Sequence, residues 1–426
     1  MKAAFLIAAP SSGSGKTTIA RGLMALFTRQ GYRVQPFKCG PDYIDTKFHT
    51  AVCGRPSVNL DTFMTTPAHV RELFDRYGDD ADVCIVEGMM GLFDGYDRDR
   101  GSCYEIATLL DIPIVLVVDA RSAAYSMAAL LQGFLHFRED ARFAGVIFNK
   151  VGSQRHAAML REVAAEAGIA CLGCIPKQAA LEQGSRYLGL DFSEITTADE
   201  WVNLLERNIE VRNLMEFITR DKTVSHAWEN VFSPVRKTNA PCFVARNSES
   251  FSFIYQETLD RFAREHELIF FDPETEVPEL QGASLLYLPG GYPEKHLKEL
   301  VLAEKTRRAI RDYAQHGGRI LAECGGMMYL CERIITDDGE YPMCGVLPYS
   351  ITARKGDRHL SLGYRRFELD GHEYRGHEFH YTQFLGDVPS SVTQVYNAKG
   401  EPVATPVFRV GNVLASYTHL YPEYYI

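Results

Sequence analysis

The feature that most constrains the fold is a glycine-rich loop near the start of the chain. The segment SSGSGKTT, residues 11–18, follows the apolar run AAFLIAAP and precedes the amphipathic run TTIARGLMALFTRQG. A glycine-rich loop between a strand and a helix directs backbone N–H groups at a bound phosphate, and the helix dipole favours the negative charge. The context therefore predicts a phosphate-binding P-loop.

The loop carries the side chains that nucleotide chemistry requires. The residues predicted to bind ATP are Gly13, Ser14, Gly15, Lys16, Thr17 and Thr18. Lys16 is predicted to reach the β- and γ-phosphates, and Thr17 to ligate Mg²⁺. The usual first glycine of the pattern is replaced by Pro10. This replacement removes none of the groups that contact phosphate, so a working nucleotide site is still expected.

The alternation of apolar and amphipathic segments predicts an α/β fold with two domains. Near-continuous apolar strands that alternate with helices indicate a mostly parallel sheet buried between helices. The length of 426 residues also exceeds one ordinary core and favours two domains of about 200 residues each. We predict an ATP-binding domain over 1–195, a helix and polar linker over 196–240, and a second α/β domain over 241–426.

Composition excludes some classes of protein. The net charge of −10 and the isoelectric point near 5.8 make nucleic acid an unsuitable partner. No apolar run reaches the ~18 residues that a membrane span needs. Ten scattered cysteines without a framework spacing predict reduced thiols in the cytoplasm. The C-x-x-C pair Cys171 and Cys174 has no second pair, so an ordinary apolar strand is the preferred interpretation.

Polar residues follow the second predicted strand in KCGPDYIDTKFH, residues 38–49. Asp42 and Asp45 lie one helical turn apart at the end of a strand, where α/β sheets bind their ligands. One carboxylate could bind Mg²⁺ and the other could orient a substrate, with Lys38 and Tyr43 in the same active site. Ordinary turn chemistry at Asp42 is an equally good interpretation.

Two further strand ends complete the predicted nucleotide site. VEGMMGLFDG places Glu87 at the end of an apolar strand, where P-loop proteins hold a second metal ligand, and Asp94 seven residues later. Asn149 ends another strand in IFNKVG. Its side chain could read the edge of the nucleobase or could cap the strand end, and the sequence leaves both roles open.

The second half predicts a nucleophilic cysteine. In GGRILAECGGMMYL, Cys324 lies between an apolar strand and a helix, in a turn that the following glycines permit. The position at a helix N-terminus is expected to favour the thiolate. The amides of Gly290 and Gly291 are candidates for an oxyanion hole. His419 ends the last strand as a candidate base.

Two other histidines compete with His419 for that role. The segment GHEFHY contains His377 and His380, and the sequence alone does not exclude either as the base that acts on Cys324.

Eight ordered blocks resemble one known family. SSGSGKTT, KCGPDYID, NLDTFM, VEGMMGLFDG, LPGGYPE, AECGGMMYL, GHEFHY and SYTHLYP occur in the order typical of the cobyrinic/hydrogenobyrinic acid a,c-diamide synthase family. The resemblance covers essentially the whole chain. It implies a dethiobiotin-synthetase-like ATP domain joined to a class I glutamine amidotransferase domain, with Mg²⁺ as cofactor. It also implies the reaction, in which ATP and L-glutamine convert the a- and c-carboxylates of a corrinoid to amides.

The resemblance assigns roles residue by residue. Cys324 matches the family's nucleophile, and His419 matches the histidine that activates it. Thr17 and Glu87 match metal or phosphate positions. Asp42, Tyr43, Asp45 and Asp94 match the active-site acids and their neighbour, and we predict Asp45 as a third metal ligand beside Thr17 and Glu87. In one departure, the position two residues after His419, where class I amidotransferases usually carry a glutamate, is Tyr421.

Some alternatives stay open at this point. The same chemistry could act on hydrogenobyrinate or on nickel-sirohydrochlorin instead of cobyrinate, and a homodimer is left open. A switch of the partitioning-ATPase type would need only the first half of the chain. It would not need the Cys324 turn or the Gly290–Gly291 loop, so the sequence argues against it.

Overall fold

The computed structural model describes most of the chain, in five stretches. These are residues 3–177, 199–219, 240–247, 249–387 and 389–421. The chain divides into two compact units. The first unit comprises Met1–Thr62 and Thr66–Glu229, and the second comprises Phe63–Thr65 and Asn230–Ile426.

The first unit is built on a seven-stranded sheet in which all observed pairs are parallel. Its strands are β1 (Ala3–Ala8), β2 (Val34–Cys39), β3 (Val58–Leu60), β4 (Val83–Glu87), β5 (Ile114–Asp119), β6 (Phe143–Val151) and β7 (Cys171–Pro176). Their spatial order is β3-β2-β4-β1-β5-β6-β7. Strand β1 is buried along its whole length, as expected for a continuous apolar strand inside a parallel sheet.

Eight helices accompany this sheet in the described residues. They are α1 (Lys16–Arg29), α2 (Ile44–Cys53), α3 (Pro67–Gly78), α4 (Cys103–Leu110), α5 (Ser126–His136), α6 (Gln154–Glu166), α7 (Asp199–Asn208) and α8 (Val211–Ile218). Local sequence fixes several of their starts. The hydroxyls of Thr66, Ser102 and Ser153 accept a backbone N–H in the first turn of α3, α4 and α6, which satisfies a donor that the helix itself leaves unpaired.

The strand order brings three predicted site segments to one edge of the first sheet. Because β4 lies between β1 and β2, the loops that follow these three strands emerge side by side. Lys38 of β2 is the register partner of Glu87 of β4, and Glu87 is also the partner of Ile7 in β1. Parallel pairing therefore positions the P-loop, the 38–49 segment and Glu87 together at the carboxyl ends of the strands.

The second unit contains a six-stranded sheet with the order β20-β21-β11-β10-β8-β9. Its strands are β8 (Pro241–Ala245), β9 (Glu267–Phe271), β10 (Leu285–Leu288), β11 (Ile320–Glu323), β20 (Val407–Val410) and β21 (Val413–Ser416). All its pairs are parallel except β20 with β21. The accompanying helices are α9 (Gln256–Glu265), α10 (Leu297–Leu302), α11 (Glu304–Gln315) and α12 (Gly325–Leu330).

Two smaller sheets of the second unit were not predicted from the sequence. One has the order β13-β12-β14-β17, and its strands are β12 (Cys331–Thr336), β13 (Gly339–Pro342), β14 (Leu347–Thr352) and β17 (Gln383–Phe384). The other has the order β19-β18-β15-β16-β22. Its strands are β15 (Ser361–Leu369), β16 (His372–His380), β18 (Val395–Asn397), β19 (Pro402–Val403) and β22 (His419–Leu420). The second of these sheets places GHEFHY beside the last strand, because β16 pairs with β22.

The α/β prediction is confirmed for both units, and one element differs from expectation. The helix predicted in the first part of 196–240 is two helices within its described residues, because α7 ends at Asn208 and α8 begins at Val211. The polar linker predicted over 221–240 lies outside the described residues except at residue 240. Cys171 and Cys174 lie in β7 as two thiols with their Sγ atoms 3.8 Å apart. No described helix is long and apolar enough to cross a membrane.

Helix α7 supports the helix that carries the P-loop. Trp201 is 7% exposed, and its indole N–H donates to the Thr18 carbonyl at 3.1 Å in the first turn of α1. We predict that Trp201→Ala lowers the free energy of unfolding of the first unit by about 3–5 kcal/mol, because it opens a cavity and leaves that carbonyl without its donor. Chemical denaturation followed by circular dichroism measures the change.

The matched control is Phe217→Ala on α8, since Phe217 is 52% exposed. That change is expected to stay within about 0.5 kcal/mol. Equal effects of the two substitutions would show that α7 is not a structural support of α1.

Candidate functional site

The P-loop has the backbone shape that phosphate binding requires. Gly13 and Gly15 have φ values of 80° and 95°, a region that side chains with a Cβ rarely adopt. Gly15 immediately precedes α1, and Ser14 closes the loop by donating from its hydroxyl to the Ser11 carbonyl at 3.0 Å. Lys16 is nearly buried and donates to the carbonyls of Met90 and Ser11. The glycine-rich turn therefore lies directly before the N-terminus of α1, in the arrangement predicted from the sequence.

A buried charge cluster lies beside the loop. Lys38 donates from Nζ to Asp45 Oδ2 at 2.7 Å and to Glu87 Oε1 at 2.9 Å, and none of these three residues is more than 2% exposed. The Thr17 hydroxyl donates to Glu87 Oε1 at 2.6 Å and lies 3.4 Å from Asp45 Oδ2. The structure therefore brings together Thr17, Lys38, Asp45 and Glu87.

The charges in this cluster hold one another ionised. Burial alone would lower the pKa of Lys38, but the carboxylates of Asp45 and Glu87 raise it above its usual range. Burial would likewise raise the pKa of Glu87. The positive charge of Lys38 and the hydrogen bond from His49 hold it well below its usual value. The cluster is accordingly one lysine cation between two carboxylate anions.

His49 is a member of this cluster that the sequence analysis missed. Its ring is fully buried, with Nε2 at 2.6 Å from Glu87 Oε2 and Nδ1 at 3.2 Å from the Ser57 hydroxyl. It fixes one carboxylate oxygen of Glu87 while the other faces Thr17 and Lys38. No sequence signal distinguishes this histidine, because its partner is brought to it by the pairing of distant strands.

The other predicted acids lie in turns. Asp42 Oδ1 accepts from the backbone N–H groups of Ile44 and Asp45 at 2.9 and 2.8 Å, so it caps the start of α2 in the turn role that the sequence left open. Its Oδ2 is 4.0 Å from Lys38 Nζ. Tyr43 is buried directly before α2. Asp94 is exposed and accepts from the Gly91 N–H at 2.9 Å, outside the Lys38 cluster.

Asn149 contacts the P-loop directly. Its Nδ2 donates to the Ser14 carbonyl at 3.0 Å, and its Oδ1 accepts from the Lys150 N–H at 2.9 Å. The adjacent Lys150 donates to the Gly13 carbonyl at 3.1 Å and to Asp119 at 3.0 Å. Both side chains therefore hold the P-loop through its carbonyls, and Lys150 was missed from sequence.

Cys324 occupies a sharp turn between β11 and α12. Its φ of 45° and ψ of −107° are unusual for a residue with a side chain and cost about 1–3 kcal/mol. The next residues must be glycine, since a Cβ on Gly326 would lie 2.0 Å from the Leu288 carbonyl oxygen. A Cβ on Gly325 would lie 3.0 Å from the Gly291 nitrogen. The turn predicted from E-C-G-G is present, and its backbone is strained.

The predicted partners of Cys324 surround this turn. The thiol donates to the Phe379 carbonyl at 3.8 Å, and the backbone N–H of Cys324 donates to the Ser416 carbonyl at 2.8 Å. His419 is completely buried against Gly290, where a Cβ would lie 2.1 Å from its Cε1 atom. The structure thus groups Cys324, His419 and the Gly290–Gly291 loop in the second unit.

One expectation about Cys324 is wrong. The helix N-terminus was expected to favour the thiolate, but burial raises the pKa of the thiol above its usual range, and the Glu294 carboxylate raises it further. The backbone N–H of Gly325 at the start of α12 lowers this pKa, as a helix N-terminus should, but burial has the larger effect. Burial also lowers the pKa of His419 to about 3. The resting pair is therefore a neutral thiol and a neutral imidazole.

GHEFHY contributes a carboxylate–histidine pair. Glu378 Oε1 lies 2.6 Å from His380 Nε2, and both residues are buried. His377 is instead the register partner of His419 on the neighbouring strand. Tyr421 donates its hydroxyl to Glu257, so position 421 supplies no carboxylate to His419.

The buried charges of the first unit generate a stability prediction. Replacing Lys38 with methionine leaves the Asp45 and Glu87 carboxylates buried without their cation. We predict a loss of about 3–5 kcal/mol in the free energy of unfolding of the first unit, measured by chemical denaturation without divalent cations. Added Mg²⁺ is expected to restore part of it, because a divalent cation can neutralise the same carboxylates.

Arg155→Met on the exposed start of α6 is the control for loss of one surface charge, with an expected change within about 0.5 kcal/mol. An unchanged stability of Lys38→Met would contradict the buried ion cluster.

Comparisons with known proteins agree with this geometry. Residues 5–188 match the family described as the CobQ/CobB/MinD/ParA nucleotide binding domain, and residues 244–423 match the CobB/CobQ-like glutamine amidotransferase domain. The chain is 38% identical to a hydrogenobyrinate a,c-diamide synthase of Brucella suis, with 98% of both chains covered. It is 36% identical to a cobyrinate a,c-diamide synthase of Caldanaerobacter subterraneus, with 98% of this chain and 94% of the relative covered. The chain therefore belongs to the cobyrinate and hydrogenobyrinate a,c-diamide synthase family of glutamine-dependent ligases.

Proposed function

We propose that this protein amidates the a- and c-carboxylates of cobyrinate, using ATP to activate each carboxylate and glutamine to supply ammonia. The observation that carries the proposal is the presence of both half-reactions in one chain. The first unit holds a phosphate loop beside buried carboxylates, and the second holds a cysteine in a strained turn beside a histidine. A nucleotide switch has no use for the second arrangement.

The first unit supports activation of a carboxylate by phosphoryl transfer. A carboxylate does not react with ammonia because its oxygen leaves badly, whereas an acyl phosphate has phosphate as a good leaving group. Lys16 and the amides of Gly13, Ser14 and Gly15 would stabilise the negative charge that shifts between the γ-phosphate and the substrate oxygen. Asn149 would act by holding the loop that carries these amides.

The oxygen donors of the cluster fit Mg²⁺. The Thr17 hydroxyl lies within hydrogen-bonding distance of both the Asp45 and the Glu87 carboxylate, and Mg²⁺ prefers such oxygen ligands together with phosphates and water. Among the described residues, no group of three or more His, Cys, Asp or Glu is arranged as an all-protein metal site. Mg²⁺ would neutralise charge on the β- and γ-phosphates. Lys38 would keep the two carboxylates apart and oriented.

The second unit supports release of ammonia from glutamine. Cys324 would attack the side-chain carboxamide as its proton passes to His419, which is neutral at physiological pH and can accept it. The amides of Gly290 and Gly291 would stabilise the oxyanion. Ammonia then leaves with the proton that His419 returns, and water hydrolyses the thioester to glutamate.

The names of the relatives favour hydrogenobyrinate as an alternative to cobyrinate. Several relatives at 37–38% identity are named hydrogenobyrinate a,c-diamide synthase, and a relative named for cobyrinate is 36% identical. Hydrogenobyrinate is the same carboxylate-bearing ring without cobalt, so it presents the same reacting groups. We further propose that the domains are 1–195 and 241–426, joined by 196–240, and that the protein is cytoplasmic, which its ten free thiols support.

The division of labour predicts the behaviour of Cys324→Ala. Glutamine-dependent amidation is expected to fall at least about 10³-fold, because no nucleophile remains to release ammonia. Amidation with added ammonium salt is expected to continue, because the first unit is unchanged. Loss of both activities in a folded variant, or survival of glutamine-dependent amidation, would contradict the proposed roles. Cys331→Ala, on another buried cysteine of the same unit, is the control.

Substrate choice is tested with the purified enzyme. We predict that cobyrinate, ATP, Mg²⁺ and glutamine give a product whose mass corresponds to replacement of two carboxylate oxygens by amide nitrogens. Parallel incubations contain hydrogenobyrinate or nickel-sirohydrochlorin. The substrate with the highest kcat/KM identifies the physiological class, and a preference for nickel-sirohydrochlorin would overturn the corrinoid assignment.

A further inference from the structure

The pair formed by Glu378 and His380 has no role in the reaction described so far. Glu378 is 2% exposed and His380 is 8% exposed, so both polar side chains are withdrawn from water. His380 Nε2 lies 2.6 Å from Glu378 Oε1, and His380 Nδ1 lies 2.8 Å from the Thr382 carbonyl oxygen. The histidine ring is therefore held at both of its nitrogens.

The two hydrogen-bond partners of the His380 ring determine which of its nitrogens carry hydrogen. A backbone carbonyl oxygen can only accept a hydrogen bond, so Nδ1 must carry a hydrogen. Glu378 is a carboxylate, because Arg365 Nε and the Thr405 hydroxyl both donate to its Oε2 atom. A carboxylate also only accepts, so Nε2 must carry a hydrogen as well. A ring with hydrogen at both nitrogens is an imidazolium cation.

The negative charge of Glu378 does not fully cancel the positive charge of His380, because a second cation uses the same carboxylate. Arg365 Nε donates to Glu378 Oε2 at 2.5 Å, and the Thr405 hydroxyl donates to the same oxygen at 2.5 Å. One carboxylate is thus shared between two cations, Arg365 and His380. The three charged groups together carry one net positive charge in a buried place, where water screens it weakly.

His380 contacts both backbone segments that hydrogen-bond Cys324. Phe379, whose carbonyl accepts from the Cys324 thiol, lies between Glu378 and His380 in β16. The His380 ring also stacks on Tyr417, with ring centroids 3.6 Å apart. Tyr417 directly follows Ser416, whose carbonyl accepts from the Cys324 N–H. The nucleophile and the imidazolium are therefore tied to the same short stretches of backbone.

Several other charged or titratable groups act on the same thiol and its base. They come from the 3₁₀ helix Pro293–Lys295, from β11, from β16 and from β22, and they are Glu294, Glu323, His377, Glu378 and His419. The carboxylates Glu294, Glu323 and Glu378 all oppose the thiolate. A positive charge near Cys324 would offset the effect of these carboxylates and stabilise the thiolate.

We propose that His380, held between the Glu378 carboxylate and the Thr382 carbonyl, is an imidazolium cation that stabilises the negative charge on Cys324 and on the oxyanion during attack on glutamine, with His419 as the base. The proposal rests on the glutaminase function proposed for the second unit. It also decides between the rival histidines, because both nitrogens of His380 already hold hydrogens that are donated to Glu378 and Thr382. His380 has no lone pair with which to take the proton of Cys324.

Nuclear magnetic resonance tests the charge directly. In protein labelled with ¹⁵N-histidine, the His380 ring is assigned through its contact with the ring of Tyr417. We expect both ring nitrogens to carry hydrogen at neutral pH. A bare nitrogen on this ring would overturn the proposal, and this measurement needs no variant.

Alkylation tests the effect on the nucleophile. His380→Gln keeps a side chain that can donate to Glu378 or Thr382 but removes the charge. We expect iodoacetamide, an uncharged reagent, to modify Cys324 about tenfold more slowly at neutral pH, with the pH profile of the reaction moved upwards. Glutamine-dependent amidation should fall in parallel, while ammonium-dependent amidation stays unchanged.

His372→Gln, at the exposed start of the same strand, is the matched control and should change neither rate. An unchanged alkylation profile in a folded His380→Gln protein would overturn the proposal even if the ring is charged. Cys324→Ala separates failure of this proposal from failure of the proposed glutaminase function. Survival of glutaminase activity in that variant would reject Cys324 as the nucleophile, whereas the two His380 measurements test the charge of the ring and its effect on the thiol.

Discussion

The ion cluster of Lys38, Asp45 and Glu87 is the interaction on which the nucleotide site depends. Two carboxylates buried this deeply cannot remain ionised without a cation, and Lys38 supplies it at 2.7 and 2.9 Å. The same contacts fix where the carboxylate oxygens face, because Thr17 and His49 occupy the remaining directions around Glu87. The P-loop therefore meets carboxylates that are already oriented, which reduces the rearrangement that binding of a metal nucleotide requires.

In the second unit the corresponding constraint is steric. The backbone of Cys324 is held in a strained conformation by neighbours that leave no room for side chains on Gly325 and Gly326. Gly290 is equally restricted by the ring of His419. Close approach of three backbone segments brings the thiol, the imidazole and the glycine amides into one small volume. The strain costs stability and is kept because the turn cannot relax without moving the loop that contains Gly291.

The sequence predicted these sites unevenly, for physical reasons. The P-loop and the Cys324 turn are local, so glycine spacing between a strand and a helix was enough to predict them. The partnership of Lys38 with Glu87 depends on the pairing of β2 with β4, and residues so far apart in the chain give no local pattern. The same holds for His49 and Lys150. Asn149 ends a strand far along the chain from the P-loop, so its hydrogen bond to the Ser14 carbonyl also gives no local pattern.

The sequence predicted that Cys324 would favour the thiolate, and this expectation failed because it used local structure and could not include tertiary packing. A helix N-terminus is visible in sequence, but the burial of Cys324 and the approach of Glu294 come from tertiary packing, and burial is the larger effect. A neutral thiol next to a neutral imidazole is poorly reactive until a proton moves from one to the other. Transfer creates an anion and a cation within a dry site, and a charge that is already fixed at His380 lowers the cost of the anion. The reactivity of Cys324 is therefore set by buried neighbours more than by its place at the start of α12.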